Sequence, residues 1–477
     1  MVAEDELHGF LAAPVRIDTA RAQDGGRRLR AARHRRLLVL PQGPQALGIE
    51  AVQAVSVADR DSLAARTADR CVVLGPAPSR LSYLDPKLLV HTALATGCDA
   101  LHPGYGFLSE RAMLAELCAE NGITFIGPRA ETIAALGDKL EAKALARAAG
   151  VPLVPGTDRI TDVRMAQAAA EELGYPVLIK ASAGGGGRGM FIAREPADIA
   201  SGFDKASNEA REAFGDDTMY MERYVENARH VEVQVFGDGQ GHVVHFGERD
   251  CSIQRRYQKV FEESPCAAMP DTLRAELHRA AVALVASLNY LNAGTVEFLY
   301  DVDRQAIYFI EVNARIQVEH PVSEQVTGFD LVQLQFRVAG GEPLLLRQDQ
   351  IPVRGHAIEC RLNAEDPYHD FRPSPGRITH WGPPRGAGVR VDSHCFDGYL
   401  VPPFYDSMIG KLIVTAATRE ACVERLAEAL DRCEIGGLTT NLPLLRHIAR
   451  HPDFMHNHLN TRWLEKTGLP GFSAQQE

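Results

Sequence analysis

Glu311, Asn313, Arg315, Gln317 and Glu319 occupy every second position of one short segment. That row combines residue types that bind metals, bind anions and accept protons. Ile307 to Ile310, just before it, read as strand, and in a strand alternate side chains share a face. If the chain stays extended, all five point the same way. Glu297 lies in the apolar run Val296-Glu297-Phe298-Leu299, one hairpin earlier. Two carboxylates on neighbouring strands, with an amide oxygen two residues on, suit a hard divalent cation that also binds phosphates. The plain alternative is the polar outer face of an edge strand. Ile310, Val312, Ile316 and Val318 weaken it, because they need the opposite face buried.

Two further groups have the right chemistry for anions. Ala181 to Gly189 contains the run Gly184-Gly185-Gly186-Gly187 and follows the apolar strand Pro176-Val177-Leu178-Ile179-Lys180. Glycines let backbone N–H groups approach phosphate oxygens, and a nearby lysine adds positive charge. The lysine precedes the glycines, so this is not the GxxxxGK[ST] loop, and a merely flexible turn would read the same way. Gln254-Arg255-Arg256-Tyr257-Gln258-Lys259 is a basic hexad in an acidic chain. It can hold an anion or be a solvated charge run.

The elements that must position these groups alternate short apolar runs with helical patterns, the signature of an α/β arrangement. Cys71-Val72-Val73-Leu74-Gly75 and Ile123-Thr124-Phe125-Ile126-Gly127 each close on glycine. Val231, Val233 and Val235 alternate with Glu232 and Gln234, and Gly237-Asp238-Gly239 then turns into Val243 to Phe246, an antiparallel hairpin. Leu273, Leu277, Ala280, Ala281 and Leu284 follow helical spacing, as do Val423, Leu426, Ala427 and Leu430. Proline-rich turns at Arg372 to Gly376 and Gly382 to Pro384 mark a separate C-terminal unit.

A chain of 477 residues exceeds one ordinary core and predicts about two to four domains. With 45% hydrophobic and 24% charged residues, it has a soluble globular composition. A formal net charge of −11 argues against nucleic acid, which needs a basic face. No apolar run is long enough to span a bilayer. The nine cysteines are scattered without zinc spacing and predict buried, reduced thiols. Glu4, Asp5 and Glu6 do not open a secretory signal, so the cytoplasm is expected. The first 46 residues are atypical. Eight arginines fall from Arg16 to Arg36, and only Leu37-Leu38-Val39-Leu40, stopped by Pro41, could be a strand. A targeting extension, a divergent first unit and a shifted reading frame all fit that segment.

From about Leu47 to about Leu464 the chain resembles the biotin carboxylases. The matching motifs, in order, are His102-Pro103-Gly104-Tyr105-Gly106-Phe107-Leu108-Ser109-Glu110, Gly137-Asp138-Lys139 and the lysine-plus-glycine loop. They continue with Arg249-Asp250-Cys251-Ser252, Phe309 to Asn313, Arg315-Ile316-Gln317-Val318-Glu319-His320-Pro321, Glu359-Cys360-Arg361-Leu362-Asn363-Ala364-Glu365-Asp366 and Tyr405 to Lys411. The resemblance implies a multidomain α/β and α+β protein. Residues 1–130 would form a Rossmann-like pre-ATP-grasp domain, with 1–46 atypical. Residues 131–345 would form an ATP-grasp domain with a glycine-rich lid at about 154–226, and 346–465 a C-terminal biotin carboxylase domain.

By the same resemblance, Lys139 and Lys180 contact ATP phosphates and the Gly186-Gly187 part of the lid closes over them. Glu222, Arg223, Tyr224 and Val225 look like the segment holding adenine through backbone groups, and His230 lies against the nucleotide. Glu297 and Glu311, assisted by Asn313, would hold two ions of magnesium or manganese. Lys259, Arg315, Gln317 and Val318 resemble a bicarbonate cradle, Glu319 the base that deprotonates bicarbonate, and Arg361 the group that stabilises the biotin enolate. Biotin would arrive on a separate carrier protein, with separate carboxyltransferase subunits, as the first half-reaction of an acyl-CoA carboxylase such as that of fatty acid synthesis. A homodimer is expected, with no nucleic acid or membrane partner.

Two departures stand out. Tyr257 replaces the histidine usual in the hexad, and a phenol does not become a cation near neutral pH. Counting back from Leu47 puts the family's first strand near residues 28–36, where Arg28 to Arg36 has the wrong chemistry. Loss of that strand would expose sheet edges and predicts lower stability. Two rival readings are an ATP-grasp ligase joining a carboxylate to an amine, and an impaired subunit kept for assembly.

Overall fold

The computed structural model describes residues 36–39, 47–182 and 189–473. Gly186 and Gly187 lie outside the described residues, as do 1–35. The N-terminal unit is a five-stranded parallel sheet. Its strands are β1 (Arg36–Val39), β2 (Glu50–Val55), β3 (Arg70–Val73), β4 (Ala100–His102) and β5 (Thr124–Phe125), in the order β3-β2-β1-β4-β5. The central place that the arginine-rich sequence was expected to leave open is therefore filled by Arg36–Val39. Leu37 pairs with both Ala51 and Ala100. Three apolar residues in sequence are enough to be recruited, because a slot between two parallel strands satisfies backbone groups on both sides. Of the nine cysteines, eight are buried as expected and Cys71 is exposed, since β3 is an edge strand.

A smaller antiparallel sheet follows, β6 (Val177–Ala181), β7 (Met190–Ala193) and β8 (Met219–Arg223), with β6 in the middle. Helices Val163–Leu173 and Asp198–Phe214 cover it, and Ala166, Ala170, Ile199, Phe203, Ala206 and Ala210 close its core.

The rest of the chain is organised by one eight-stranded antiparallel sheet. Its strands are β9 (Ala228–Asp238), β10 (Val243–Arg255), β11 (Gln258–Ser264), β12 (Leu291–Asp301), β13 (Ala306–Asn313), β14 (His356–Asn363), β15 (Val389–Asp392) and β16 (Met408–Ala416). They run in the order β13-β12-β9-β10-β11-β14-β16-β15. One face carries two large cores. Val231, Val233 and Val235 pack with Leu277, Ala281 and Leu284 of the helix Asp271–Ser287, as their spacing predicts. Phe261, Ile358 and Cys360 pack with Val423, Leu426 and Leu430 of the helix Arg419–Asp431. On the opposite face lies the short helix His320–Thr327, whose Val322 and Val326 rest on Ala357 and Ile413. The polar face beside that helix carries the chemistry.

Candidate active site

Two β-bulges decide which side chains reach this face. Glu297 pairs with Glu311, but the next pair is Phe298 with Phe309, so Ile310 is an extra residue. Strict alternation would put Glu311 on the core face with Phe309; the bulge turns it over. Ile310 is accordingly only half-buried, contrary to its expected place on the buried side, while Val312 is buried. Likewise Ile253 and Gln254 pair with Phe261 and Lys259, leaving Val260 extra. That bulge brings Lys259 onto the face of Glu262 instead of that of Phe261.

The strand ends at Asn313, so the extended run to Glu319 is not observed. The chain bends, and Glu319 becomes the N-cap of the helix His320–Thr327. Pro321 at the start of that helix favours the switch. Convergence survives because the turn is tied down by its own polar side chains. Arg315 donates to Asn313 Oδ1 at 3.0 Å and to Glu110 Oε2 at 2.8 Å, and Ala314 N–H donates to Glu110 Oε1 at 2.9 Å. Gln317 Nε2 donates to Glu297 Oε1 at 3.2 Å.

Lys259 is the hub. Its Nζ donates to Glu232 Oε2 at 2.6 Å, Glu297 Oε1 at 3.1 Å and Glu319 Oε1 at 2.6 Å. Arg361 on β14 donates Nε to Glu262 Oε1 at 2.6 Å and a terminal nitrogen to Glu319 Oε2 at 2.9 Å. Glu319 is 0% exposed. Burial alone would raise its pKa, but Lys259, Arg361 and Arg249 outweigh that and hold it well below the usual carboxylate range. It is an ionised carboxylate, bonded at both oxygens. Burial pushes Glu262 up to about 7 against the pull of Arg361. Arg249 is wholly buried behind the site and joins Glu232, Gln234, Thr295 and Ser323.

At the positions expected to hold metal, burial works against Glu297, but Lys259 and His230 lower its pKa strongly. His230 Nε2 lies 3.1 Å from Glu297, which raises the histidine against the effect of burial. Burial and then Glu297 raise Glu311, and its carboxylate accepts no hydrogen bond from a described residue. Facing carboxylates, the second without a hydrogen bond from a described residue, and Asn313 two residues on, fit a divalent cation. Donor atoms of His230, Glu232 and Glu297 lie within 4.8 Å of one another as well, a grouping the sequence did not suggest.

The lysines expected at phosphate form their own cluster. Lys180 donates to Glu222 Oε2 at 3.1 Å, and Lys143 bonds the other oxygen of Glu222. Burial holds Lys139 below the ordinary lysine range, opposed by Glu311, with Lys180 and Lys143 also nearby. Lys139 thus links the lysine cluster to Glu311. Glu222 points inward to lysines, and the N–H groups of Arg223 and Tyr224 are already donated to Pro155 and Pro176. Val225 is buried, and His230 Nδ1 meets Gln254 at 2.8 Å. Tyr257 is 63% exposed at the tip of the β10–β11 hairpin, with φ of 67°, apart from the buried cluster.

Glu110, Lys143, Glu232, Arg249 and Glu262 were given no role from sequence. Lys143 follows Lys139 by one helical turn, a spacing that puts both on one face. Glu262 and Glu263 are consecutive in a strand and must point to opposite faces. Glu263 goes to Arg419 and His356, Glu262 to Arg361.

Three family models cover nearly all of the described chain. They are the biotin carboxylase N-terminal domain at residues 21–133, the carbamoyl-phosphate synthase L chain ATP-binding domain at 138–347, and the biotin carboxylase C-terminal domain at 359–466. Chloroplastic biotin carboxylase 2 of Populus trichocarpa is 49% identical over 421 residues, covering 88% of this chain and 80% of its own length. Biotin carboxylase 1 of Bacillus subtilis is 47% identical over 426 residues, covering 89% and 95%. Among solved structures, a Campylobacter jejuni biotin carboxylase complex with a β,γ ATP compound matches with a TM-score of 0.87 and 43% identity, over 91% of this chain and 99% of that one. The biotin carboxylase domain dimer of Hydrogenobacter thermophilus 2-oxoglutarate carboxylase, bound to MgADP, ADP and bicarbonate, matches with a TM-score of 0.85 and 43% identity, over 92% and 98%. The chain belongs to the biotin carboxylase family.

Proposed function

We propose that this chain carboxylates biotin with bicarbonate and ATP, through carboxyphosphate, and that the residues named above divide the work. Lys139 and Lys180 hold the ATP phosphates. Glu297, Glu311 and Asn313 would hold magnesium, or manganese, which would supply positive charge to phosphate oxygens during transfer. Arg315, Lys259 and the Gln317–Val318 segment orient bicarbonate. Glu319 accepts its proton, which makes it a better nucleophile toward the γ-phosphorus. Carboxyphosphate then breaks into carbon dioxide and phosphate, and phosphate takes the N1 proton of biotin. Arg361 stabilises the negative charge that develops on the ureido oxygen.

One observation carries this reading: the buried, ionised Glu319 is shared between Lys259, on the metal side, and Arg361. A ligase joining a carboxylate to an amine has no use for that pairing. An impaired subunit would not keep Lys259, Glu297, Glu311, Glu319 and Arg361 bonded or facing across one cluster.

The domain limits proposed are 1–130, 131–345 with a lid at about 154–226, and 346–465; the family-model bounds support them. Biotin is proposed to arrive on a carrier protein, with carboxyltransferase subunits taking the second half-reaction and a homodimer as the assembly. The dimer of the Hydrogenobacter thermophilus domain supports the last point. No helix among the described residues is long and apolar enough to cross a membrane; a cytoplasmic location is proposed. The test is ADP release by the full chain, with and without bicarbonate and with and without free biotin. Release that needs bicarbonate and rises with biotin is expected. Release indifferent to bicarbonate would overturn the reading.

A further inference from the structure

A lysine next to the cluster has no part in the phosphate, metal or anion roles above. Lys411 on β16 is 3% exposed. The β14–β16 register sets it directly across from Arg361, and the β15–β16 register sets Asp392 on its other side. Arg361, Lys411 and Asp392 therefore stand in a row across the polar face. Arg361 reaches the carboxylate of Glu319; Lys411 reaches the backbone immediately before it. Its Nζ donates to the Val318 carbonyl at 2.6 Å, with Asp392 Oδ2 4.0 Å away.

An ammonium in such a place is costly to bury, and an apolar side chain of the same length would fill the volume without that cost. Nor is it needed to dock the helix His320–Thr327 as a body. Arg390 bonds Glu324 at 2.8 Å, Arg249 bonds Ser323 at 3.1 Å, and Thr415 bonds Gln325 at 3.1 Å. Those ties fix the flank of the helix. Lys411 fixes the peptide that joins Val318 to Glu319, where the turn enters the helix. Rotation of that peptide would swing the Cα–Cβ bond of Glu319, and with it a carboxylate that must stay between Lys259 and Arg361.

We propose that Lys411 is a positioning residue, which holds the Val318–Glu319 peptide so that the Glu319 carboxylate is aimed at bicarbonate. The inference rests on the reading of Glu319 as the base. It is tested on the full chain with Lys411→Met and Lys411→Arg. Bicarbonate is varied at saturating ATP, and MgADP binding is titrated separately without bicarbonate. Lys411→Met is expected to lose about 10- to 100-fold in kcat/KM for bicarbonate, the range for a removed supporting contact, with the Kd for MgADP changed by less than about twofold. Lys411→Arg, which keeps a donor and a charge, is expected to recover most of the loss. Unchanged kinetics in Lys411→Met, a parallel loss of MgADP binding, or an arginine variant no better than methionine would each overturn the proposal. If Lys411→Met does not fold, Lys411→Gln is read in its place. Failure of both to fold makes the lysine a fold residue and also overturns it. Wild-type enzyme without bicarbonate-dependent ADP release would instead sink the functional reading and take this inference with it.

Discussion

Glu319 and Arg361 bond each other, yet their proposed tasks fall on opposite sides of carboxyphosphate, so substitution separates them. Glu319→Gln keeps the shape and loses the base. Bicarbonate-dependent ATP cleavage is expected to fall by about 10²- to 10⁴-fold, the usual contribution of general base catalysis, with MgADP binding retained. Steady-state rates beside a nucleotide titration check this, and cleavage within about threefold of wild type would contradict it. Arg361→Ala is expected to depress biotin carboxylation at least about tenfold more than bicarbonate-dependent ATP cleavage, because its guanidinium serves the biotin oxygen. Equal loss of both activities would remove that assignment. The row from Glu311 to Glu319 was legible at this scale as a candidate because the sequence concentrates it within one segment, and the structure brings Glu297 and Lys259 to it from other strands. Glu110, Arg249 and Glu262 were not. Their partners come from other elements, and nothing local in the sequence says that Glu262 rather than Glu263 faces Arg361.

At the scale of elements, the site depends on departures from regularity. Strict period-two reading would send Lys259 to the face of Phe261 and Glu311 to that of Phe309; the extra residues Val260 and Ile310 reverse both. Bulges leave no composition signal, since each is one more β-forming residue in a β-forming run. The hairpin around Gly237-Asp238-Gly239 and the helices at 271–287 and 419–431 were readable, because the periodicity of one buried face defines each of them. The eight-stranded sheet tolerates little change at its crowded points. A Cβ added to Gly237 on β9 would lie 2.1 Å from the backbone oxygen of Tyr290. Gly237→Ala must therefore push β9 away from the chain entering β12, and is expected to cost about 2 to 4 kcal/mol. Chemical denaturation measures it; a loss below about 0.5 kcal/mol would show that the strand yields freely.

At the scale of the molecule, the polar face draws on several parts of the chain. Glu110 comes from the N-terminal unit, and the β11–β14 pairing carries the sheet on into the C-terminal family match. A second joint ties the ends together. Tyr405 bonds Ala77 O at 2.6 Å and also Ser56 Oγ, while Tyr83 bonds Asp59 Oδ2 at 2.5 Å. Burial pushes Asp59 up to about 6 against the hydroxyl bonds it accepts from Tyr83 and Ser56. A carboxyl raised on folding holds its proton better in the folded state. Its stabilising effect is complete below pH about 4 and lost as pH climbs through about 6. Asp59→Asn should flatten that part of the urea midpoint against pH curve, and an unchanged slope would count against the joint. The first strand shows the limit of sequence reading at this scale. The apolar run from Leu37 was legible as a candidate strand, but its central place between β2 and β4 was not. The central claim, that one buried face and the lysine cluster beside it bring base, anion cradle and phosphate lysines to a single reaction, has a direct measurement. In turnover with bicarbonate labelled in oxygen-18, attack of bicarbonate on the γ-phosphorus leaves one labelled oxygen in each inorganic phosphate, since carboxyphosphate breaks at its carbon–oxygen bond. The account predicts that label; phosphate carrying solvent oxygen instead would contradict it.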